Sequence, residues 1–170
     1  MIWNASVRMR GMPIWGSDRL VSGEGDMRWK LFGIIPVMIA SGADITRSTV
    51  GRLHAESVWL PSVLCGNDVS WTMTGSSHLH VGFTAHDETS NLTMTVDNKG
   101  RLESLKLRRW GNPEGAEFHY VDFGGVAEEE GTFSGYTIPT RLRIGWYRDT
   151  DRFDSEGEFF RVTIEDAVYR

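Results

Sequence analysis

The sequence has few of the residues that mark disulfide-rich, zinc-binding or membrane-spanning proteins. Of its 170 residues only Cys65 is a cysteine, so no internal disulfide, CxxC redox pair or zinc ribbon can form. We expect Cys65 to be a small buried apolar residue. The longest apolar run, residues 34–40, falls far short of the ~20 residues that a membrane helix needs. No stable membrane insertion is therefore expected.

Basic charge is also scarce. The chain has 18 Lys and Arg against 23 Asp and Glu, a formal net charge of −5, so no nucleic-acid partner is expected. Its first residues lack the basic and apolar regions of a signal peptide. The chain as given therefore reads as soluble, with no signal peptide or transmembrane segment, and its compartment stays unassigned. Ordinary apolar and charged contents of 40% and 24% predict a single domain over residues 1–170.

The dominant pattern is alternation of apolar and polar residues, as in Leu79, Val81 and Phe83, which is typical of half-buried strands. The 19 glycines fall where turns are needed, and Asp97-Asn98-Lys99-Gly100 predicts a tight turn. About nine or ten strands follow from this pattern. They are predicted near residues 3–9, 14–22, 26–35, 69–74, 79–85, 92–96, 105–107, 116–123, 138–148 and 158–169.

Residues 44–60 break the alternation and predict one helix, which ends at Pro61 or opens a second short turn there. The predicted core-facing side carries Ile45, Leu53, Trp59 and Leu60. The opposite side carries Arg47, Gly51 and His54. The expected fold class is α+β and mostly β: one strongly curved antiparallel sheet, a half-barrel, with this main helix on its concave face.

No catalytic, metal or cofactor site is predicted. His78 and His80 share one face of a strand, but Leu79 and Val81 on the other face place both imidazoles on the solvent side. The sequence has no G-x-S-x-G nucleophile elbow, and its G-x-G at Gly23 links two strands.

Aromatic residues are the least average feature, with 7 Trp and 8 Phe. They fill the core of a curved sheet, or they line an apolar cavity between sheet and helix, where lipids and other greasy ligands bind. Glu56 falls inside the predicted apolar stripe, where a carboxylate needs a partner. Arg52, Arg108 and Arg109 are the candidates. An ion pair and a general acid/base role both remain open for Glu56.

Several motifs together resemble a bacterial family of uncharacterised proteins, and the most specific is Leu-x-Ala-Glu-x-x-Trp-x-Pro. The resemblance implies no assigned activity and a shape similar to periplasmic lipoprotein carriers, whose curled sheet wraps a helix and holds acyl chains. Relatives usually carry a segment upstream of the first strand. The matching residues are Trp3-Asn4-Ala5, Arg8-Met9, Asp18, Gly23, Gly25, Arg52-Leu53, Ala55-Glu56, Trp59, Pro61, Trp71, Asp97, Gly100-Arg101-Leu102, Arg109-Trp110, Gly135-Tyr136, Ile138-Pro139 and Gly145-Trp146.

Three functions are compatible with these observations. The favoured one is non-enzymatic binding of a hydrophobic, lipid-like ligand in a cleft between sheet and helix. The alternatives are an interaction or scaffold protein with a filled core, and an enzyme that uses Glu56 as an acid/base. The partner is then a hydrophobic small molecule or lipid, and the oligomeric state stays open. The predicted ligand-binding residues are Leu53, Glu56, Trp59, Trp71, Arg109, Trp110, Tyr136 and Trp146.

Overall fold

Strands make up 57% of the chain in the computed structural model, which describes residues 1–9 and 11–169. Arg10, Arg170 and the side chain of Met9 lie outside the described part. All strand pairs are antiparallel. The described strands are β1 (Ile2–Met9), β2 (Met12–Val21), β3 (Glu24–Leu31), β4 (Ile35–Ser41), β5 (Ser70–Thr74), β6 (His78–Ala85), β7 (Glu88–Val96), β8 (Leu102–Gly111), β9 (His119–Phe133), β10 (Tyr136–Trp146) and β11 (Glu158–Thr163).

The strands form two open sheets, with four strands in the order β1-β2-β3-β4 and seven in the order β11-β10-β9-β8-β7-β6-β5. The mostly-β prediction is confirmed, whereas the single half-barrel of nine or ten strands is wrong. Residues 42–69 separate β4 from β5, and both strands are edges of their own sheets. Alternation identifies a half-buried strand, but it carries no information about which strand pairs with it.

The helical region differs from the prediction in its length and in its buried face. Helix α1 spans Ala43–Glu56, a 3₁₀ turn follows at Ser57–Trp59, and a short helix α2 spans Pro61–Leu64, so the second of the two alternatives for Pro61, a new short turn, is the one found. The predicted orientation is wrong, because His54 is fully buried while Leu60 is 43% exposed. Among the described residues, no helix is both long and apolar enough to cross a membrane.

The chain forms two compact units, Met1–Leu53 and His54–Arg170, here called the first and second units. The boundary falls inside α1. The expectation of one domain over residues 1–170 stays a prediction.

The first unit contains the four-stranded sheet and most of α1. Gly25 in β3 allows a close approach, because a Cβ there would lie 2.6 Å from the Thr46 Cα, and its N–H donates to Thr46 Oγ1 at 2.9 Å. Gly16 serves the same purpose in β2, where the Trp29 ring occupies the space that a side chain would need. Two glycines therefore let α1 and an indole lie directly on the strands.

The second unit contains the seven-stranded sheet, whose inner face is the main apolar core. Val81, Leu92 and Leu142 are at most 1% exposed there. Residues 54–64, here called the helical segment, contribute Ala55, Val58 and Leu64 to the same core. The predicted turn before β8 is confirmed, since Asp97 Oδ1 accepts hydrogen bonds from the N–H groups of Lys99 and Arg101. Buried polar residues also lie at the core face of this sheet, which is defined by these buried side chains.

Candidate functional site

Three buried polar residues meet the core face of the second unit: His54, Ser90 and Arg109, which are 0%, 8% and 8% exposed. A fourth, Ser57, is 2% exposed, and its hydroxyl donates to the His54 carbonyl. His54 comes from α1, Ser90 from β7 and Arg109 from β8. The strand alternation turns Ser90 and Arg109 toward the same face as Leu92 and Leu107. Buried polar groups are rare in an apolar face unless they are paired or serve a function, so we take these three as the candidate site.

His54 is held as a neutral imidazole. Its Nδ1 is hydrogen-bonded to Ser90 Oγ, and its ring lies edge-on to Phe83 with ring centres 4.5 Å apart. Burial lowers the pKa of His54 from 6.5 to about 4; Glu88 opposes this shift and His86 adds to it. The other ring nitrogen, Nε2, is buried and has no hydrogen-bond partner among the described residues. That nitrogen has unused hydrogen-bonding capacity inside the core.

Arg109 lies among aromatic rings. Its guanidinium carbon is 4.6 Å from the centre of the Phe123 ring and 5.0 Å from that of Trp146. Both distances are within the range of cation–π attraction, which is strongest where water is excluded. Arg109 and Trp146, two of the site residues predicted from the sequence, therefore lie together.

The aromatic cluster continues from these rings to the surface. Phe123 packs edge-on against Trp146 at 5.0 Å, and Phe159 stacks on Trp146 at 6.4 Å while remaining 59% exposed. Gly111 makes room for Trp146, since a Cβ at that position would collide with the end of the indole. An apolar, aromatic strip thus connects the buried arginine to solvent.

The other predicted site residues are placed apart from this cluster or at its margins. Trp59 Nε1 donates to the Pro139 carbonyl at 2.9 Å, and Trp71 Nε1 donates to the Leu64 carbonyl at 3.0 Å. Trp110 packs on Tyr120 at 5.1 Å, and Tyr136 on Tyr169 at 4.7 Å. Each of these rings has a structural contact of its own.

Two predicted site residues lie on α1. Glu56 is its last residue and is half-buried, and Leu53 is half-buried at the end of the first unit. The predicted pairing of Glu56 with an arginine of β8 stays a prediction. Within β8, Arg108 instead donates to the Tyr120 carbonyl at 2.6 Å and lies on the exposed side.

Comparison with known proteins places the chain in one family. Residues 1–169 match a family of unknown function (DUF6920). The chain belongs to this family. The predicted membership of an uncharacterised family is therefore confirmed, while the bacterial origin stays a prediction. No curated protein and no solved structure matches the chain.

Residues of the family resemblance also meet in the first unit of this DUF6920 chain. Asp18 is 4% exposed; its carboxylate accepts a hydrogen bond from Trp29 Nε1 at 3.0 Å and pairs with Arg52 Nη1 at 2.5 Å. Trp3 covers the pair, with its ring centre 3.9 Å from the Arg52 guanidinium carbon. The sequence alone did not predict this ion pair, since its members lie 34 positions apart. A buried pair shielded by two indoles fixes the helix on the sheet.

The opposite face of the first sheet carries an open groove of about 560 Å³. Trp15, Arg28 and Lys30 line it together with Asn4, Ser6 and Ser17. All six point away from the Asp18 side, as the strand register requires. We call this the basic groove.

No group of three or more His, Cys, Asp or Glu among the described residues could hold a metal ion. His78 is exposed and is hydrogen-bonded to Ser77, while His80 is half-buried and is hydrogen-bonded to Thr93. Cys65 is exposed, which corrects the expectation that it is buried.

Proposed function

We propose that the second unit binds a hydrophobic, lipid-like ligand between its helical segment and the core face of its sheet, without catalysing a reaction. The observation that carries the proposal is the buried Nε2 of His54, which has no hydrogen-bond partner among the described residues. Such an atom loses its hydration on folding and is costly unless another polar atom meets it. A ligand head group is one source of that atom.

The surroundings of His54 favour an amphiphile. Phe83 packs against the imidazole, and Arg109 lies on the same sheet face between aromatic rings. A neutral histidine donates from one nitrogen and accepts at the other, so a hydroxyl or carboxyl head can serve either tautomer. The aromatic strip from Phe123 to the exposed Phe159 offers apolar contact for a chain. Such a combination of few polar groups and many apolar ones is typical of sites for apolar ligands.

The test combines native mass spectrometry with thermal unfolding. Lipid that co-purifies with the chain appears as an added mass, and the melting temperature rises when a fatty acid or fatty alcohol binds the folded state alone. His54→Phe keeps an aromatic ring but removes both nitrogens, so the ligand-induced rise should be lost. His119→Phe is the matched control, because His119 lies in the second unit but is exposed.

Two results count against the proposal. If no lipid co-purifies and neither ligand class raises the melting temperature, the hydrophobic-ligand function is wrong. If His54→Phe shows the same ligand-induced rise as the unmodified chain, the ligand binds elsewhere, and a buried water is the simplest partner for Nε2.

A second candidate function, an interaction protein, is favoured by a separate observation in the first unit. Six large apolar residues are at least 50% exposed along β4 and the turn before it, and together we call them the apolar edge. They are Phe32, Ile34, Ile35, Val37, Met38 and Ile39. A contiguous patch of exposed apolar side chains is typical of a site that binds another molecule.

A further inference from the structure

The apolar edge is an unusual feature of the first unit because its large apolar side chains are exposed and add little to the core. Within the described part of the chain β4 pairs with β3 alone and forms one side of its sheet. Ile34 and Ile39 are 75% and 68% exposed, more than most apolar side chains of the chain. Leaving these side chains in water forgoes the stabilisation that burial would give.

Phe32 supplies a second, independent indication. It lies in the β3–β4 turn with φ of 51°, a left-handed conformation in which asparagine or glycine is more stable than a bulky residue. Its ring is 51% exposed, so packing only partly compensates for this backbone strain. A strained, exposed aromatic residue at a turn is the pattern expected when the side chain serves an external partner.

Cationic and interfacial side chains lie directly beside the apolar edge. Lys30 pairs in register with Pro36, and Arg28 pairs with Ile39. Trp15 lies across from Lys30, and its ring is 3.7 Å from the Cβ position of Gly33 in the same turn. Arg28 also forms an exposed ion pair with Asp26 at 2.9 Å, which is a weak constraint in water. Apolar, aromatic and basic side chains are therefore immediate neighbours on this part of the sheet.

We propose that the apolar edge and the basic groove together form a surface that docks peripherally on an anionic lipid bilayer. A bilayer presents acyl chains, the interface that tryptophan favours and anionic head groups within a short depth, and the neighbouring apolar, aromatic and basic side chains match these three layers. Charge supports this partner. The first unit holds seven Lys and Arg against four Asp and Glu, a net charge of +3 in a chain of net charge −5. The proposal does not depend on the ligand site of the second unit.

A second copy of the chain is the rival partner, and β4 is poorly built for it. An edge strand joins another strand through its backbone N–H groups, but Pro36 has none to offer. The register shift opposite Trp29 and Lys30 makes Val37 an extra residue in β4, which interrupts the regular edge. Both features protect an edge against strand pairing and leave side-chain insertion unaffected.

The experiment is co-sedimentation of the full chain with vesicles of phosphatidylglycerol or of phosphatidylcholine. We expect clear preference for phosphatidylglycerol that weakens as salt rises. The double variant Phe32→Asn with Ile34→Ser should lower partitioning about tenfold or more, since two inserted apolar side chains are lost. Lys30→Gln should lower partitioning to phosphatidylglycerol by about fivefold and leave phosphatidylcholine unchanged.

Val168→Ser is the matched control. Val168 is 69% exposed but belongs to the second unit, so its loss should not change sedimentation. Equal sedimentation of the double variant and the unmodified chain, or no sedimentation with either lipid, would overturn the proposal. Light scattering completes the test, because a dimer that the double variant converts to monomer, without vesicle binding, assigns the apolar edge to a second copy.

Discussion

The two units bury polar groups in opposite ways. The first unit places two full charges, Asp18 and Arg52, in contact under a pair of indoles. The second unit keeps His54 uncharged by withdrawing it from water. A pair of charges tolerates burial because each neutralises the other, whereas a lone imidazole tolerates it by releasing its proton. The stability of the two units should therefore depend on different variables.

The units also differ in their net charge and in the number of large apolar side chains that they expose. The second unit holds 11 Lys and Arg against 19 Asp and Glu, a net charge of −8, whereas the first is positive. Among the described residues, ten of the seventeen exposed large apolar side chains belong to the first unit, although it is the smaller one. The smaller, basic unit is accordingly the one with a surface suited to an external partner.

The largest expected effect on stability comes from breaking the buried ion pair of Asp18 and Arg52. Asp18→Asn keeps an oxygen for the Trp29 indole but removes the charge opposite Arg52, whose side chain is only 14% exposed. We expect a loss of about 3–5 kcal/mol in the free energy of unfolding, since the buried guanidinium loses the carboxylate charge of Asp18. Urea denaturation measures the loss.

Glu129→Gln is the control for the same chemical change in the second unit. Glu129 pairs with Arg141 at the same 2.5 Å, but both side chains are more than half exposed. The change should cost less than about 1 kcal/mol. Similar costs for the two variants would remove the contrast between a buried and an exposed pair.

A smaller loss of stability is expected when the pH is lowered through the range in which His54 titrates. In the unfolded chain His54 takes up a proton near pH 6.5, whereas in the folded chain it does so only near pH 4. Stability from this residue is therefore complete above 6.5 and is lost as pH falls toward 4, by about 3 kcal/mol in total. Urea denaturation at a series of pH values measures the slope.

His54→Gln separates this effect from the carboxylates that titrate in the same range. The glutamine amide stays uncharged, so the variant should lose less stability than the unmodified chain between pH 6.5 and 4. His119→Gln, at an exposed position, should follow the unmodified chain. If the free energy of unfolding falls with pH equally in His54→Gln and in the unmodified chain, His54 does not make the second unit sensitive to acid.

The smallest effect is expected at Phe32 and has the opposite sign. Phe32→Asn alone should raise the free energy of unfolding by about 1 kcal/mol, because asparagine adopts the left-handed conformation at lower cost. Thermal or urea denaturation measures the gain. A loss of stability would mean that Phe32 supports the first unit itself, and the contrast between an outward-facing unit and an inward-facing one would weaken.

The sequence correctly predicts the strands that have one buried, apolar face and one exposed, polar face. Strands such as β6 and β7 alternate clearly because one face is buried and the other exposed. The sequence failed to identify β4, whose residues 35–40 are apolar on both faces and therefore show no alternation. The division into two sheets was also missed, because pairing between distant strands leaves no local pattern.

The candidate site was predicted in part, for a similar reason. The sequence marks Arg109 as a candidate partner of Glu56 and Trp146 as one of its many aromatic residues, and both belong to the family resemblance. The structure brings the two together. A constant helical angle, continued from Ile45 to Leu60, places His54 on the outer side. The helix ends at Glu56, and the following 3₁₀ turn changes that angle. Polar residues that bond inside the core, such as His54 and Ser57, are not recognised by apolar spacing.

The exposed position of Cys65 makes the chain convenient for spectroscopy. A thiol-reactive fluorophore would attach at one defined place without removal of any other cysteine, because the sequence has only one. Cys65 directly follows Leu64, whose carbonyl accepts the hydrogen bond from the Trp71 indole. A label there would sit near a natural fluorescence donor, and energy transfer between the two would report when α2 separates from β5.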